Sequence, residues 1–535
     1  MIDVSRLAVA KPATQWLVAL SLALFFGLWA LRGVGEGGVV STDAARHAMN
    51  GAMIHDWLWD GPFASPLDYA RWYYSRTQSL SLSYHPPLFP LLEAAAFSVL
   101  GVSAFTARLV VAIATALSAL LMYRLVLATH GSYLIALAAT AVAFSLTQTQ
   151  VLSQDVMLEL PALVFVLAAL LVLARADASY TWRHALAYGA WSVAAVWTKQ
   201  LAAFLIAVPF LVALLARRQG WLSTPPFWLS IGLVGLAFTA VELVPAYISG
   251  VNPGRVASWE SLPSILLSNS RYYLDSIDRG AAVLMVVSLL GLGLPAAHGT
   301  RTRLALAPAD ALYWACIIAL LAELLVGNWH QSRYLFFLYP AIATLACAAC
   351  YRAAYRLFVP SPILPFALIA VAAVAGTYLQ RTPIVQRGPA EASIRIATDH
   401  PARVLYAGEA DGQFVFALRS ASNELPIVIR GDKLPSSTFD TNRFETFAKD
   451  YGVTHVVLED LHKPTAWEHL FTQPPPSMIP IGQIAMSGLR NGSLHLYRFT
   501  NRSPHPEAQL EIQTTKFGDS EKALMLDWST PAWSR

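Results

Sequence analysis

Residues 41–56 read STDAARHAMNGAMIHD and place Asp43, Arg46, His47, His55 and Asp56 in a segment with the apolar spacing of a helix. They follow almost directly on WLVALSLALFFGLWAL, which carries no charge at all. Asp43, His47 and Asn50 recur at helical spacing, which puts Asp43 near a helix start, where free N–H groups and the dipole favour its charge. The plain alternative is that Asp43 only caps the helix; Thr42 competes for that role and would leave Asp43 pointing elsewhere.

A second group lies in QTQVLSQDVMLELPAL, residues 148–163, where Asp155 and Glu159 fall on one face a turn apart. A cap explains Asp155 by itself, but Glu159 in an apolar helix needs a partner or a protonated state. Two such carboxylates can meet Asp43, hold a cation or bind a sugar.

A third group is cationic. VWTKQLAAF sets Lys199 between two apolar runs with no room for a loop, and GNWHQSRYLFF brings His330 and Arg333. Snorkelling to headgroups is the plain reading of an interfacial Lys; the functional one is a phosphate or diphosphate ligand. Carboxylates beside fixed cations suit transfer of a group from a phosphorylated lipid to a hydroxyl. A carboxylate accepts the hydroxyl proton, and the cations stabilise charge appearing on the departing phosphate.

The elements that must position these residues are membrane helices. Apolar residues make up 56% of the 535-residue chain and charged residues only 13%, about half the usual share of a soluble protein. Long apolar runs recur from Trp16 to Tyr378 and stop after Gln380. We expect eleven spans, at 14–31, 104–127, 132–149, 156–175, 184–198, 200–217, 226–246, 280–298, 309–327, 333–351 and 362–379. Arg6 and Lys11 precede the first run as in a signal peptide, but LRGVGEGGVV offers no convincing cleavage site, so a retained span is expected.

With the N-terminus in the cytoplasm, the inner loops collect Arg124, Arg175 and Arg183, Arg217 and Arg218, Arg301 and Arg303, and Arg352 and Arg356. Loop 32–103, residues 150–155, the turn at Lys199, and loops 247–279 and 328–332 then face outward, with the tail. Segment 85–101, HPPLFPLLEAAAFSVLG, would invert that pattern if it crossed; it reads as a re-entrant or interfacial helix, the alternative being a further crossing that restores parity elsewhere. Trp57, Trp59, Phe63, Tyr69, Trp72, Tyr73, Tyr74 and Tyr84 make the first external loop an aromatic, interfacial one.

The tail, 380–535, reads as a small soluble α/β domain. Strands are expected at 402–408, 413–419, 426–431, 453–459 and 493–499, a helix at 443–452 and a loop at 474–480. Cys316, Cys347 and Cys350 all fall in apolar runs, so no disulfide framework is indicated. The net charge of +4 lies largely in short loops and does not argue for nucleic acid.

This order of motifs resembles the GT-C superfamily of polyprenyl-phosphate-dependent glycosyltransferases, in the branch of protein O-mannosyltransferases, lipid A aminoarabinose transferases and lipopolysaccharide-core galacturonosyltransferases. STDAARHAM is similar to the family's first-loop acidic motif, with Asp43 as the proposed base and Ala44 where a second acid is usual. YHPPLFPLL resembles the basic-Pro-Pro-Leu element at His85, SQDVMLELP the second acidic loop at Asp155, WTKQ the Thr-Lys element at Lys199, and SRYLFFLYPA the Arg-Tyr element at Arg333 and Tyr334.

The resemblance, which covers residues 14–380, implies a GT-C-like polytopic α-helical membrane protein of about 11–13 transmembrane helices, with a C-terminal extracytoplasmic α/β domain. Residues 1–379 would form the catalytic domain. The implied activity is inverting transfer of a sugar from a polyprenyl-phosphate donor to a hydroxyl of an envelope lipid, glycan or protein. Asp43 and Asp155 would be catalytic, and His85, Glu159, Lys199, His330, Arg333 and Tyr334 would bind substrate or phosphate. Branches differ in use of a divalent cation, and with Ala44 unable to be a ligand the residues leave that open. The implied location is the plasma (inner) membrane. Rival classes are a transporter, which wants ionisable groups on broken helices in two related halves, and a non-catalytic glycan-binding membrane protein.

Overall fold

The computed structural model describes residues 12–36, 38–61, 65–81, 85–176, 179–249, 262–292, 308–327, 330–356, 363–379, 385–398, 402–422, 424–431, 434, 441–460, 468–488, 490–500, 510–514 and 522–526. Arg6, Lys11, Phe63, Tyr84, Arg301, Arg303 and Gln380, named above, lie outside them.

The first apolar run is α1 (Pro12–Ala30), apolar all round and largely unburied, as a lipid-facing helix should be. Loop 32–103 then folds as three helices: α2 (Thr42–Asp60), α3 (Pro66–Thr77) and α4 (Leu88–Leu100). Helix α4 rises only about 20 Å, short of the ~30 Å hydrocarbon layer, and packs on α2 and α5. Helix α5 (Ala104–His130) is capped by the Ser103 hydroxyl and ends at Gly131, whose φ of +65° is left-handed. Its buried Arg108 donates to the carbonyls of Ala30 (3.2 Å) and Arg32 (2.6 Å), tying down the exit of α1.

Helices α6 (Tyr133–Ser145) and α7 (Thr147–Ser153) bend by 70° at Leu146. Then come α8 (Glu159–Arg175), α9 (Trp182–Thr198), a 3₁₀ segment Gln200–Ile206, α10 (Val208–Leu215) and α11 (Pro225–Ser249). They are followed by α12 (Leu262–Ser276), α13 (Arg279–Gly291), α14 (Pro308–Val326), a 3₁₀ segment Ser332–Leu338, α15 (Tyr339–Arg356) and α16 (Ile363–Leu379). Each expected span overlaps one of these helices or helix pairs, the span at 280–298 being described only as far as Leu292. Among the described residues five of these helices are long and apolar enough to cross a membrane, or six if the bent α6–α7 pair is one span, fewer than the eleven expected. The chain is a multi-pass membrane protein.

Beyond them lie α17 (Pro389–Ala397), β1 (Arg403–Ala407), α18 (Asp411–Ala421), β2 (Ile427–Arg430), α19 (Thr441–Asp450), β3 (His455–Glu459), α20 (Glu468–Thr472), β4 (Met478–Met486) and β5 (Gly492–Phe499). The sheet order is β2-β1-β3-β5-β4, with β1 parallel to β2 and β3 and the rest antiparallel. A separate hairpin, β6 (Leu510–Thr514) with β7 (Lys522–Leu526), follows.

Two expectations fail here. QFVFALR is helix α18, because parallel β1 and β2 need a crossover between them and this segment supplies it. The last three residues of PPPSMIP open β4 instead of lying in a loop. One face of the sheet, through Val404, Tyr406 and Phe414, shares a continuous apolar core with the membrane helices, while Leu405, Ile429, Phe444 and Phe499 form a second core on the other.

Candidate active site

Ser41, in extended backbone, is the residue that caps α2: its hydroxyl accepts from the Ala44 amide at 3.1 Å. The same hydroxyl donates to Asp155 Oδ2 (2.7 Å), and the Val40 amide donates to Asp155 Oδ1 (3.2 Å). Neither Thr42 nor Asp43 caps the helix. Thr42 instead donates its hydroxyl to Gln413 Oε1 (3.0 Å), and Asp43, its side chain 50% exposed, faces the cations. Asp155 is thus a buried acceptor fastening the start of α2. Burial lifts its carboxyl above the ordinary range, and the three hydrogen bonds from Ser41, Val156 and Val40 only partly oppose that.

Both cations sit at breaks of the same kind. Lys199 is a single extended residue between α9 and a 3₁₀ turn, which is how the chain reverses with no loop. Arg333 follows the extended Gln331 at the start of the second 3₁₀ segment. A 3₁₀ turn advances farther per residue than an α-turn and leaves side chains stacked every third residue, so it suits short stretches where a helix must restart.

A chain of ion pairs joins four remote segments. Arg333 Nη2 lies 3.3 Å from Asp43 Oδ2 and its Nε 3.6 Å from Glu159 Oε1; Lys199 Nζ lies 2.7 Å from the same Glu159 oxygen. Gln331 Oε1 accepts from Arg333 Nε at 2.6 Å and fixes the fork. Lys199 also stands 4.9 Å from the Tyr334 ring centroid, a cation–π contact. Glu159 and Lys199 are essentially buried, and Glu159 Oε2 is buried with no hydrogen-bond donor, an acceptor left open inside the site. The partner that Glu159 required is Lys199.

His85 lies beside His47, rings edge-to-face with centroids 4.5 Å apart. Burial first, then the Lys199, Arg333 and Arg46 charges, push the His47 imidazole down to about 3. His85 is pushed well below its usual value by burial, His47 and Lys199, against the pull of Asp43. For both rings the shift favours the neutral imidazole, burial being the largest cause. Asn50, a turn beyond His47, holds the preceding loop through Ser81, with bonds of 3.0 and 2.9 Å.

His330 stands apart from this network, edge-on to Tyr272 at 5.0 Å. A metal does not fit: Asp43 and Glu159 already face Arg333 and Lys199, Ala44 is fully buried, and among the described residues no group of three or more His, Cys, Asp or Glu is gathered to hold an ion. What the sequence did not disclose is the far end of α2. Asp56 receives Arg419 Nε (2.9 Å) and Nη2 (2.5 Å), the Tyr73 hydroxyl (2.9 Å) and His55 (2.9 Å). Burial alone would raise the Asp56 carboxyl, but these hydrogen bonds win and hold it below the usual range. Arg419 is 363 residues away, and no local pattern announces the pair.

Residues 84–244 match the family model described as dolichyl-phosphate-mannose-protein mannosyltransferase. The structure is similar to that of ArnT from Cupriavidus metallidurans in the apo state, with TM-score 0.59 and 16% identity over 92% of this chain and 100% of that one. The same protein bound to undecaprenyl phosphate gives TM-score 0.57 and 15% identity with the same coverage. No curated protein matches the chain. The likeness to these structures is one of fold, and it extends over nearly the whole chain. The segment matched by the family model carries His85, Asp155, Glu159 and Lys199, four of the residues described above.

Proposed function

We propose that the protein transfers a sugar from a polyprenyl-phosphate donor to a hydroxyl acceptor at the outer face of the plasma membrane, with inversion. The observation that carries this reading is the half-exposed Asp43 carboxylate standing at the end of the Arg333–Glu159–Lys199 chain. The similar ArnT binds undecaprenyl phosphate, which supports the donor class. Asp43 takes the acceptor's proton as the hydroxyl oxygen bonds to the anomeric carbon. The bond from that carbon to the phosphate oxygen breaks on the opposite face, and its electron pair stays on the lipid phosphate. Arg333 and Lys199, with the N–H of His85, face that growing charge. Glu159 and Tyr334 hold Lys199 in place, and Asp155 holds the helix that carries Asp43.

Helix geometry supports the outward placement. Glu159 begins α8 and Lys199 follows α9, so Arg175 and Arg183 mark the other end of this packed pair. Arg333 precedes α15 while Arg352 and Arg356 close it. The arginine-rich connections therefore lie opposite the site, as they should if they are cytoplasmic.

The test uses the full-length protein with polyprenyl-phosphate hexose, pentose and uronic acid donors, offered lipid A, envelope glycan and peptide acceptors. Asp43→Asn should lower turnover by about 10²-fold or more while the protein remains folded. Wild-type turnover in that variant, or no transfer by the native protein from any of these donors, would refute the reading.

A further inference from the structure

The soluble portion touches the membrane portion at the very turn that carries Asp43. Gln413 Oε1 accepts the Thr42 hydroxyl at 3.0 Å. At the preceding Gly412, a Cβ would lie 2.9 Å from Thr42 Cγ2 and 3.0 Å from the Thr42 carbonyl oxygen, so only glycine lets the two helices approach this closely. Asp411 adds contacts with Arg430 (2.8 Å) and, across the interface, with Arg46 (3.7 Å), one turn along α2 from Asp43.

The start of α18 is itself fixed. Glu459, fully buried at the end of β3, accepts from the Glu409 amide (2.7 Å), the Ala410 amide (3.1 Å) and the Tyr406 hydroxyl (3.3 Å). A strand–turn–helix corner with glycines and free amides is the kind of place that cradles phosphate. Here the protein's own carboxylate fills it, and Gly408 has room for nothing more, since a Cβ there would overlap Glu459. The corner is built as a rigid strut.

We propose that Gly412 and Gln413 are positioning residues for Asp43. The first turn of α2 is held between Asp155, through Ser41 and Val40 on the membrane side, and the strut on the other. Releasing the strut lets Asp43 drift relative to Arg333 while leaving both portions folded. This rests on Asp43 being the base, and the experiment separates the two ideas.

Full-length Gln413→Met, Gln413→Glu and Gly412→Leu proteins are compared with wild type for amide exchange over residues 42–50, melting temperature, and kcat and KM with whichever donor of the panel supports transfer. Gln413→Met should lower kcat by about 10²-fold with KM little changed, because an ångström of misplacement has that cost. Amides at 42–50 should exchange faster at unchanged melting temperature. Gln413→Glu keeps the acceptor for Thr42 and should restore both readouts. Gly412→Leu should exceed Gln413→Met if it folds; Gln413→Met decides the matter if it does not. Unaltered exchange in Gln413→Met overturns the positioning role whatever the reaction, as does faster exchange with native kcat. Faster exchange in a protein that transfers no sugar supports the strut and sinks only the assignment of Asp43 as base.

Discussion

Asp43 is exposed because its neighbour Ser41 does the capping, and the whole chemistry proposed for it follows from that division of labour. The buried Glu159–Lys199 pair behind it is a different kind of residue pair. Two desolvated charges at 2.7 Å contribute little net stability, but removing one leaves the other uncompensated. Glu159→Gln should therefore cost about 3–5 kcal/mol in chemical unfolding, and the double variant Glu159→Leu, Lys199→Met should recover much of it. A single variant as stable as wild type would show that the pair is not desolvated in the membrane. The two imidazoles make a pH prediction with a definite sign. Their folded values lie below the ordinary 6.5, so as pH falls through 6.5 the unfolded chain binds protons that the folded protein refuses. Thermal stability should be full above about 6.5 and decline steadily below it, toward the His47 value of about 3. His47→Asn should flatten that slope, and an unchanged slope would mean that His47 titrates normally.

At the scale of elements, placement depends on helix ends. Helix α2 begins where a serine hydroxyl is shared between its own amide and Asp155, and Lys199 and Arg333 each stand where a helix restarts through a 3₁₀ turn. Ser41→Ala should cost about 1 kcal/mol by loss of the cap and also strip Asp155 of its hydroxyl donor. A melting temperature equal to wild type for that variant would show that the Val40 and Val156 amides suffice. The helices themselves were largely legible, because uncharged runs of this length allow little else. The breaks were not, since a single extended residue such as Lys199 leaves no mark in the run of apolar letters.

The whole molecule brings a membrane bundle and a mixed sheet together over a shared core, with α18 laid on α2. The proposed orientation is checked with Ile394→Cys, a 63% exposed position on α17. A membrane-impermeant maleimide should label it in intact cells if the outer permeability barrier is opened, whereas Cys350, near the arginine-rich end of α15, should stay unlabelled. The reverse pattern would turn the site to the cytoplasm and defeat the lipid-phosphate reading.

By itself the sequence determined the membrane class and the run of helices, and it singled out most of the charged residues of the candidate site, because lipid demands long apolar runs and makes every charge near them costly enough to notice. It misread α18 as a strand, since a short segment with apolar residues at both periods satisfies either pattern until the parallel pairing of β1 and β2 requires a crossover. Only the tertiary structure decided that Glu159 answers Lys199, that His330 stands aside, and that Asp56 meets Arg419. Those choices are made by contacts across 40 to 363 residues, and at such separations nothing in the local order of side chains encodes which partner a charge will find.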